Sequence, residues 1–239
     1  MKSRKYNNIM NFIGFIFLIY ASSKVNEIDS ILNYDKVKPE FMPASYSLII
    51  WSIIYTLLFI WIIKGFIATP KESVMYKKVG LCSSISMIFM GITFIIPIKL
   101  TPIFIMITLI FSFIAYYKIS SSCISQIYIL PFSLMCGWLS ITAIYDISLF
   151  LKLIGINSFL WIGEVGWTSI TIVLLTITTI LFTLLNDDIN FPLMFIWGYI
   201  AIVIESNSNM IIRVSLAMCI MLIICILYNL YIQRFNYTE

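Results

Sequence analysis

FMPASYSLIIWSIIYTLLFIWIIK, residues 41–64, decides how the rest of this chain is read. It enters an apolar run through Pro43, carries Trp51, Tyr55 and Trp61, and stops on Lys64. About twenty nearly apolar residues cross a hydrocarbon core of roughly 30 Å as a helix. Trp51 and Tyr55 are four residues apart and therefore share a helix face. Taken alone, the stretch reads as a membrane helix with interfacial aromatic residues.

The composition extends that reading to the whole chain. Of 239 residues, 61% are hydrophobic and 11% charged, and the mean hydropathy is +1.01. Soluble domains are about a quarter charged, so these apolar residues exceed what a water-soluble globule can bury. In lipid each backbone amide must find its partner within the protein, which turns apolar runs of this length into helices. The alternation of barrel strands is absent. The fold class expected is all-α, a polytopic transmembrane helical bundle. A net charge of +4 implies no nucleic-acid partner, and the cations read as topology signals. Cys82, Cys123, Cys136, Cys219 and Cys225 form no Cys-x-x-Cys pair, which argues against a disulfide framework. The absence of histidine removes the commonest metal ligand and the usual proton carrier near neutral pH. No metal site and no cofactor are expected.

About eight spans follow along the chain, or seven if the weakest run does not cross. The basic start, residues 1–8, precedes an apolar run over 9–20. That run reads as a first membrane helix or as the centre of a signal peptide. A polar connector covers 24–40. Further helices are expected over 43–63, 79–98, 103–117, 127–151, 160–185, 191–204 and 210–232, with a basic loop at 64–78 and a Ser-rich loop at 118–126. Lys and Arg near helix ends set orientation. Lys2, Arg4, Lys5, Lys64, Lys71, Lys77, Lys78, Lys118 and Arg234 fall on one side, against Lys24, Lys36, Lys38, Lys99, Lys152 and Arg213 on the other. The richer side implies cytoplasmic N- and C-termini, and the plasma membrane is the expected location.

Pro43, Tyr46, Ile50, Trp51, Ile54 and Tyr55 resemble the second-helix signature of the TspO/MBR family, the tryptophan-rich sensory or translocator proteins. Pro131, Phe132, Ser133, Gly137, Trp138 and Asp146 resemble that family's longer branch. Counted from Trp138, the Ala and Asn positions of the last helix in the family's compact members fall on Thr142 and Asp146. Asp188, Ile189, Phe191, Leu193, Ile196 and Trp197 resemble a segment of the longer branch only. The likeness runs roughly from Phe41 to Glu205. Within the signatures, Ser45 and Ser47 stand where the family has Trp and Phe, and Ser86–Met90 stands where it has Leu-Asn-x-x-Trp. The resemblance implies a five-helix core over residues 1–153, with additional transmembrane helices over 154–239 packed on the same bundle. It also implies a tetrapyrrole, sterol-like or drug-like ligand, held beneath the connector before residue 41.

The residues themselves point the same way. A carboxylate near the middle of a spanning helix costs about 2.5–3.5 kcal/mol on insertion scales and is kept where it faces protein or water. Asp146 lies inside its span; Glu164, between Trp161 and Trp167, and Glu205 lie nearer the ends, where headgroup contact explains them equally well. Trp51 and Trp138 fall deeper in their spans than an interfacial belt would place them. An aromatic cavity with few polar groups suits a flat lipophilic ligand. The expected ligand-binding set is Pro43, Tyr46, Trp51, Tyr55, Trp138, Thr142 and Asp146, in a sensor or carrier whose partners are the bilayer and the ligand; a homodimer is compatible with it. Without histidine, iron ligation of a bound porphyrin is not expected. The alternative from another class is the permease subunit of a multi-protein exporter, which needs a cytoplasmic coupling helix in 64–78 or 118–126. An intramembrane enzyme built on Asp146 and Glu164 has no supporting motif, and no enzymatic activity is expected.

Overall fold

The computed structural model describes residues 2–24, 38–122, 125–156, 158–159 and 161–236. Most of the connector expected to cover the ligand, residues 25–37, and Cys123 lie outside the described residues. Nine α-helices are described: α1 (Lys2–Ser22), α2 (Ile50–Ile67), α3 (Pro70–Val79), α4 (Cys82–Thr93), α5 (Thr101–Ser120), α6 (Leu130–Leu153), α7 (Glu164–Asn186), α8 (Asn190–Glu205) and α9 (Asn209–Asn236). The protein is helical, as its hydropathy requires, with one short hairpin, β1 (Ser158–Phe159) against β2 (Ile162–Gly163).

Among the described residues, five segments are long and apolar enough to cross a membrane: Ser45–Ile67, Ile98–Ser120, Leu130–Leu153, Glu164–Asn186 and Asn209–Arg234. About eight were expected; the first expected run, 9–20, lies in the helix α1, which is not one of the five. The apolar helices α4 and α8 have 12 and 16 residues, which at 1.5 Å per residue reach about 18 and 24 Å, less than a hydrocarbon core. The expected helix over 79–98 is thus replaced by a shorter one. The expected basic loop at 64–78 contains α3. Thr69 opens that helix with a capping box: Glu72 N–H reaches the Thr69 hydroxyl, and the Glu72 carboxylate accepts from Thr69 N–H at 2.8 Å. Pro70 sits in its first turn, where its missing N–H is not needed.

The described chain forms two compact units. The first comprises Met1–Val37 and Ile50–Asp146, the second Lys38–Ile49 and Ile147–Glu239. In the first, α4 packs between α1 and α5 through small and polar residues. Asn11 Oδ1 accepts from the Ser83 and Ser84 hydroxyls at 2.7 and 2.6 Å. Ser86 and Ser112 share a hydrogen bond of 2.7 Å. At Gly91 a Cβ would stand 2.7 Å from the Phe17 ring, so the close approach of α1 requires glycine there. Such packing is expected where lipid supplies no hydrophobic drive between helices.

In the second unit α9 packs on α7 and α8. Thr168, Ile172, Thr176, Thr179 and Thr183 are buried along one stripe of α7. The Tyr199 hydroxyl of α8 lies 3.1 Å from the Thr176 hydroxyl and donates to Ile172 C=O at 3.0 Å. Hydroxyls again replace apolar side chains at the contact.

Candidate functional site

Helix α6 is the most enclosed of the five long helices: half of its apolar window is buried, against a third or less in the others. Pro131 lies in its first turn, where the ring fits the helix and no hydrogen bond is lost. Trp138, Thr142 and Asp146 follow at intervals of four, so they drift by about 40° per step and line one side of the helix. Trp138 is 1% exposed, and its indole N–H has no hydrogen-bond partner. Thr142 donates back to its own helix, to Trp138 C=O at 3.3 Å and Leu139 C=O at 3.1 Å. Asp146 is half-buried, and among the described residues no cation or donor pairs with its carboxylate. A buried unpaired donor costs about 1–3 kcal/mol, and a charged group more. This side of α6 therefore presents one donor and one acceptor that the described protein leaves unsatisfied.

In the same unit, α2 carries Trp51 and Tyr55, whose ring centroids are 5.5 Å apart. Both are half-buried. The pair shares a face, as its spacing requires.

A second aromatic cluster of the first unit was not singled out by the sequence reading. Trp61 packs against Tyr76 at 4.7 Å and edge-on to Phe132 at 5.0 Å. Gly65 leaves room for the Tyr76 ring, which a Cβ there would meet at 2.9 Å. The Tyr76 hydroxyl donates to Trp61 C=O at 2.7 Å, and burial pushes its phenol pKa up. Tyr128 stands edge-on to Tyr76 at 6.4 Å, donates to Glu72 Oε1, and lies under the Lys64 ammonium at 5.2 Å. That hydrogen bond, then burial, pushes the Tyr128 phenol up to about 12. The same bond leads the causes that hold the Glu72 carboxyl below its ordinary value. The signal in the sequence was the spacing of Trp61, Lys64, Glu72 and Tyr76 around a turn, which sequence alone does not connect to Tyr128.

Pro43 and Tyr46 belong to the second unit. The segment Lys38–Ile49 is tied down along its length there. Ala44 N–H donates to Ala201 C=O at 3.1 Å. Trp197 donates its indole N–H to Ser47 C=O at 3.1 Å and meets the Tyr46 ring edge-on at 5.4 Å. Pro43 is half-buried beside these contacts. Nearer the start, Lys38 pairs with Glu205. Glu40 N–H donates to Glu164 Oε1 at 2.7 Å. Lys152 bridges Glu164 Oε2 at 2.9 Å and Lys38 C=O at 2.5 Å. Glu164 and Glu205, readable as headgroup contacts in the sequence, are thus both paired with lysines. A cleft of about 70 Å³ opens beside Lys38, Glu40, Met42 and Glu205. Sites for drug-sized molecules measure about 300–1,000 Å³, so this cleft is of a size for water or a small ion.

Of the seven residues expected to bind ligand, the structure brings Trp51 to Tyr55, sets Trp138, Thr142 and Asp146 on one side of α6, places Tyr46 against Trp197, and puts Pro43 in the same unit as Tyr46. A family model described as TSPO-like protein matches residues 5–228, which extends beyond the motifs in both directions, from α1 into α9. No curated protein and no solved structure matches the chain.

Proposed function

The chain belongs to the TSPO-like protein family and is an integral membrane protein, and on that premise we propose that it binds a flat lipophilic ligand within the membrane, as a sensor or carrier. The ligand classes are a tetrapyrrole, a sterol-like or a drug-like molecule. The protein resides in the plasma membrane with both termini on the cytoplasmic side. Trp138, Thr142 and Asp146 of α6, and the Trp51–Tyr55 pair of α2, are the ligand-facing groups of the first unit. Pro43 and Tyr46 act by fixing the segment that leads into α2.

One observation carries this reading: Trp138 and Asp146, two turns apart on one side of the most enclosed long helix, leave a buried donor and a half-buried acceptor without partners among the described residues. A ligand with ring N–H or hydroxyl donors would satisfy Asp146. Carboxylates of a porphyrin would be repelled by it and would point away. The rings supply stacking surface, worth about 1–3 kcal/mol per ring where it has been measured for nucleobases.

The test is a titration of the purified protein with protoporphyrin, read by quenching of tryptophan fluorescence. Trp138→Leu is expected to weaken binding about tenfold or more, in line with that stacking range. Trp161→Leu, at a fully exposed position in the other unit, should leave the dissociation constant unchanged. Equal effects from both substitutions, or none from Trp138→Leu, would remove this reading.

A second reading gains from α3. A permease subunit requires a cytoplasmic coupling helix, and the loop at 64–78 contains a ten-residue helix, α3, that could serve as one. Its Met75, Tyr76 and Val79 are buried, and Lys71, Val74 and Lys77 are exposed. An ATPase retained through α3 on purification, and lost on Lys71→Glu with Lys77→Glu, would favour the exporter.

A further inference from the structure

Trp161 immediately precedes β2 in the β1–β2 hairpin, in which Phe159 pairs with Ile162 and Ser158 with Gly163. Its backbone has φ +65°, the left-handed region that glycine or asparagine occupies readily and a bulky residue does not. Its side chain is fully exposed and has no partner among the described residues. A strained backbone thus presents a large ring that the protein itself does not use.

The platform beneath the ring is held at both sides. Gly166, in the first turn of α7, lies directly under Ile162: a Cβ there would stand 2.5 Å from the Ile162 side chain. Glu164, the first residue of α7, is paired with Lys152 in the last turn of α6 at 2.9 Å. The hairpin is therefore seated on the first turn of α7, which is itself tied to the end of α6.

That position sets its depth. The connector from Leu153 to Glu164 starts and ends on spanning segments, so its feet lie at the edge of the hydrocarbon. Two residues per strand rise about 7 Å. The headgroup layer on each side is roughly 5–8 Å deep, from the difference between the hydrocarbon and full bilayer thickness. The whole excursion is comparable to that layer. The exposed surface is also continuous with the lipid-facing one: Ile154 and Ile156 precede the hairpin, and Ile170, Leu174, Ile177 and Leu181 run down one exposed side of α7. An indole, apolar in body with one polar N–H, is suited to the boundary between headgroups and acyl chains.

We propose that the hairpin Ser158–Gly163 is a membrane-interface anchor, with the Trp161 ring projecting from the seated platform into the headgroup–acyl boundary of the bilayer the chain spans. The anchor fixes the depth and tilt of α6 and α7 at that end.

The test uses the full chain in nanodiscs at one copy per disc. The emission lost in Trp161→Gly isolates the Trp161 signal from the other five tryptophans. That signal should be quenched by phosphatidylcholine brominated near the glycerol end of its acyl chains and shielded from aqueous iodide. Trp161→Gly should leave the unfolding temperature unchanged or raised in lipid-free amphipol, where the left-handed strain is relieved, and lower it in nanodiscs. Quenching by iodide without quenching by the brominated lipid would place the ring in water and overturn the proposal. Shielding that develops only with several copies per disc would make a second copy the occupant and also overturn it. An equal loss of stability in amphipol and nanodiscs would show the ring packing on protein, with the same consequence.

Discussion

The first unit holds two aromatic groups that look alike in sequence and differ in what surrounds them. Trp61, Tyr76, Tyr128 and Phe132 cover one another's rings, and both tyrosine hydroxyls have acceptors. The indole N–H of Trp61 is the one polar atom of that cluster left without a partner. Trp51 and Tyr55 touch only each other among the aromatic pairs described and remain half-buried. On α6 the donor of Trp138 and the acceptor of Asp146 are both unused. Aromatic residues whose faces and hydroxyls are occupied hold a fold together. An idle indole N–H does not separate the two cases, since Trp61 and Trp138 both lack a partner among the described residues; what sets the α6 side apart is the carboxylate of Asp146 two turns from Trp138, which no described cation or donor pairs.

Breaking the first cluster should have the largest effect. Tyr76→Ala removes a fully buried ring and its hydrogen bond, and large-to-small core changes of this kind cost about 3–5 kcal/mol. Thermal unfolding in detergent should show that loss, and a midpoint within a degree or two of the parent would mean the cluster is not structural.

Asp146 sharpens the other side of the comparison. With no partner among the described residues, Asp146→Leu should leave thermal stability unchanged or raised while protoporphyrin binding falls. A hydrogen bond to a charged group is worth about 1.5–3 kcal/mol, so the fall should be on the order of ten- to a hundredfold. Asp146→Asn keeps an acceptor and should bind within a few-fold of the parent. Loss of stability in the Leu variant with binding intact would make Asp146 a packing residue.

The smallest effect concerns Glu72 and Tyr128. Glu72 has a folded-state pKa below its unfolded value, led by the Tyr128 hydrogen bond. Its contribution is present above the unfolded carboxylate pKa and is lost as pH falls through the folded one. Tyr128 is shifted the other way, to about 12, so its contribution is full below the unfolded phenol pKa of about 10 and is lost as pH rises through 12. The unfolding midpoint should therefore decline at both extremes and be flat between them. Glu72→Gln should flatten the acid limb, and an unchanged acid limb would show that this pair contributes nothing.

Much of the fold was open to sequence reasoning because the bilayer imposes it. The apolar runs over 43–63, 103–117, 127–151, 160–185 and 210–232 each correspond to a long helix, since backbone amides in hydrocarbon have no other general solution. The shared face of Trp51 and Tyr55, and the side of α6 that carries Trp138, Thr142 and Asp146, follow from helical periodicity alone. Less was open at the helix ends. Glu72 capping Thr69 hides a helix inside a basic loop, and a two-residue hairpin before α7 leaves no periodic trace.

What sequence alone determined was the solvent: an all-helical membrane protein of the TSPO-like kind, with a carboxylate, Asp146, inside one of its spans. Only the tertiary structure decided which polar atoms are spent. Trp61 and Trp138 are both buried tryptophans within apolar runs, each with an indole N–H that has no partner among the described residues, yet Trp61 belongs to a ring cluster with Tyr76 and Phe132, whereas Trp138 lies on the side of α6 that carries Asp146. Glu164 and Glu205 are acidic residues near helix ends, as Asp146 is nearly, yet both are bound to lysines 12 and 167 residues away in the chain. The physical reason is range. Periodicity and hydropathy act over neighbours and the bilayer normal, whereas a hydrogen bond or ion pair depends on which helices meet, and that is settled by packing across the chain.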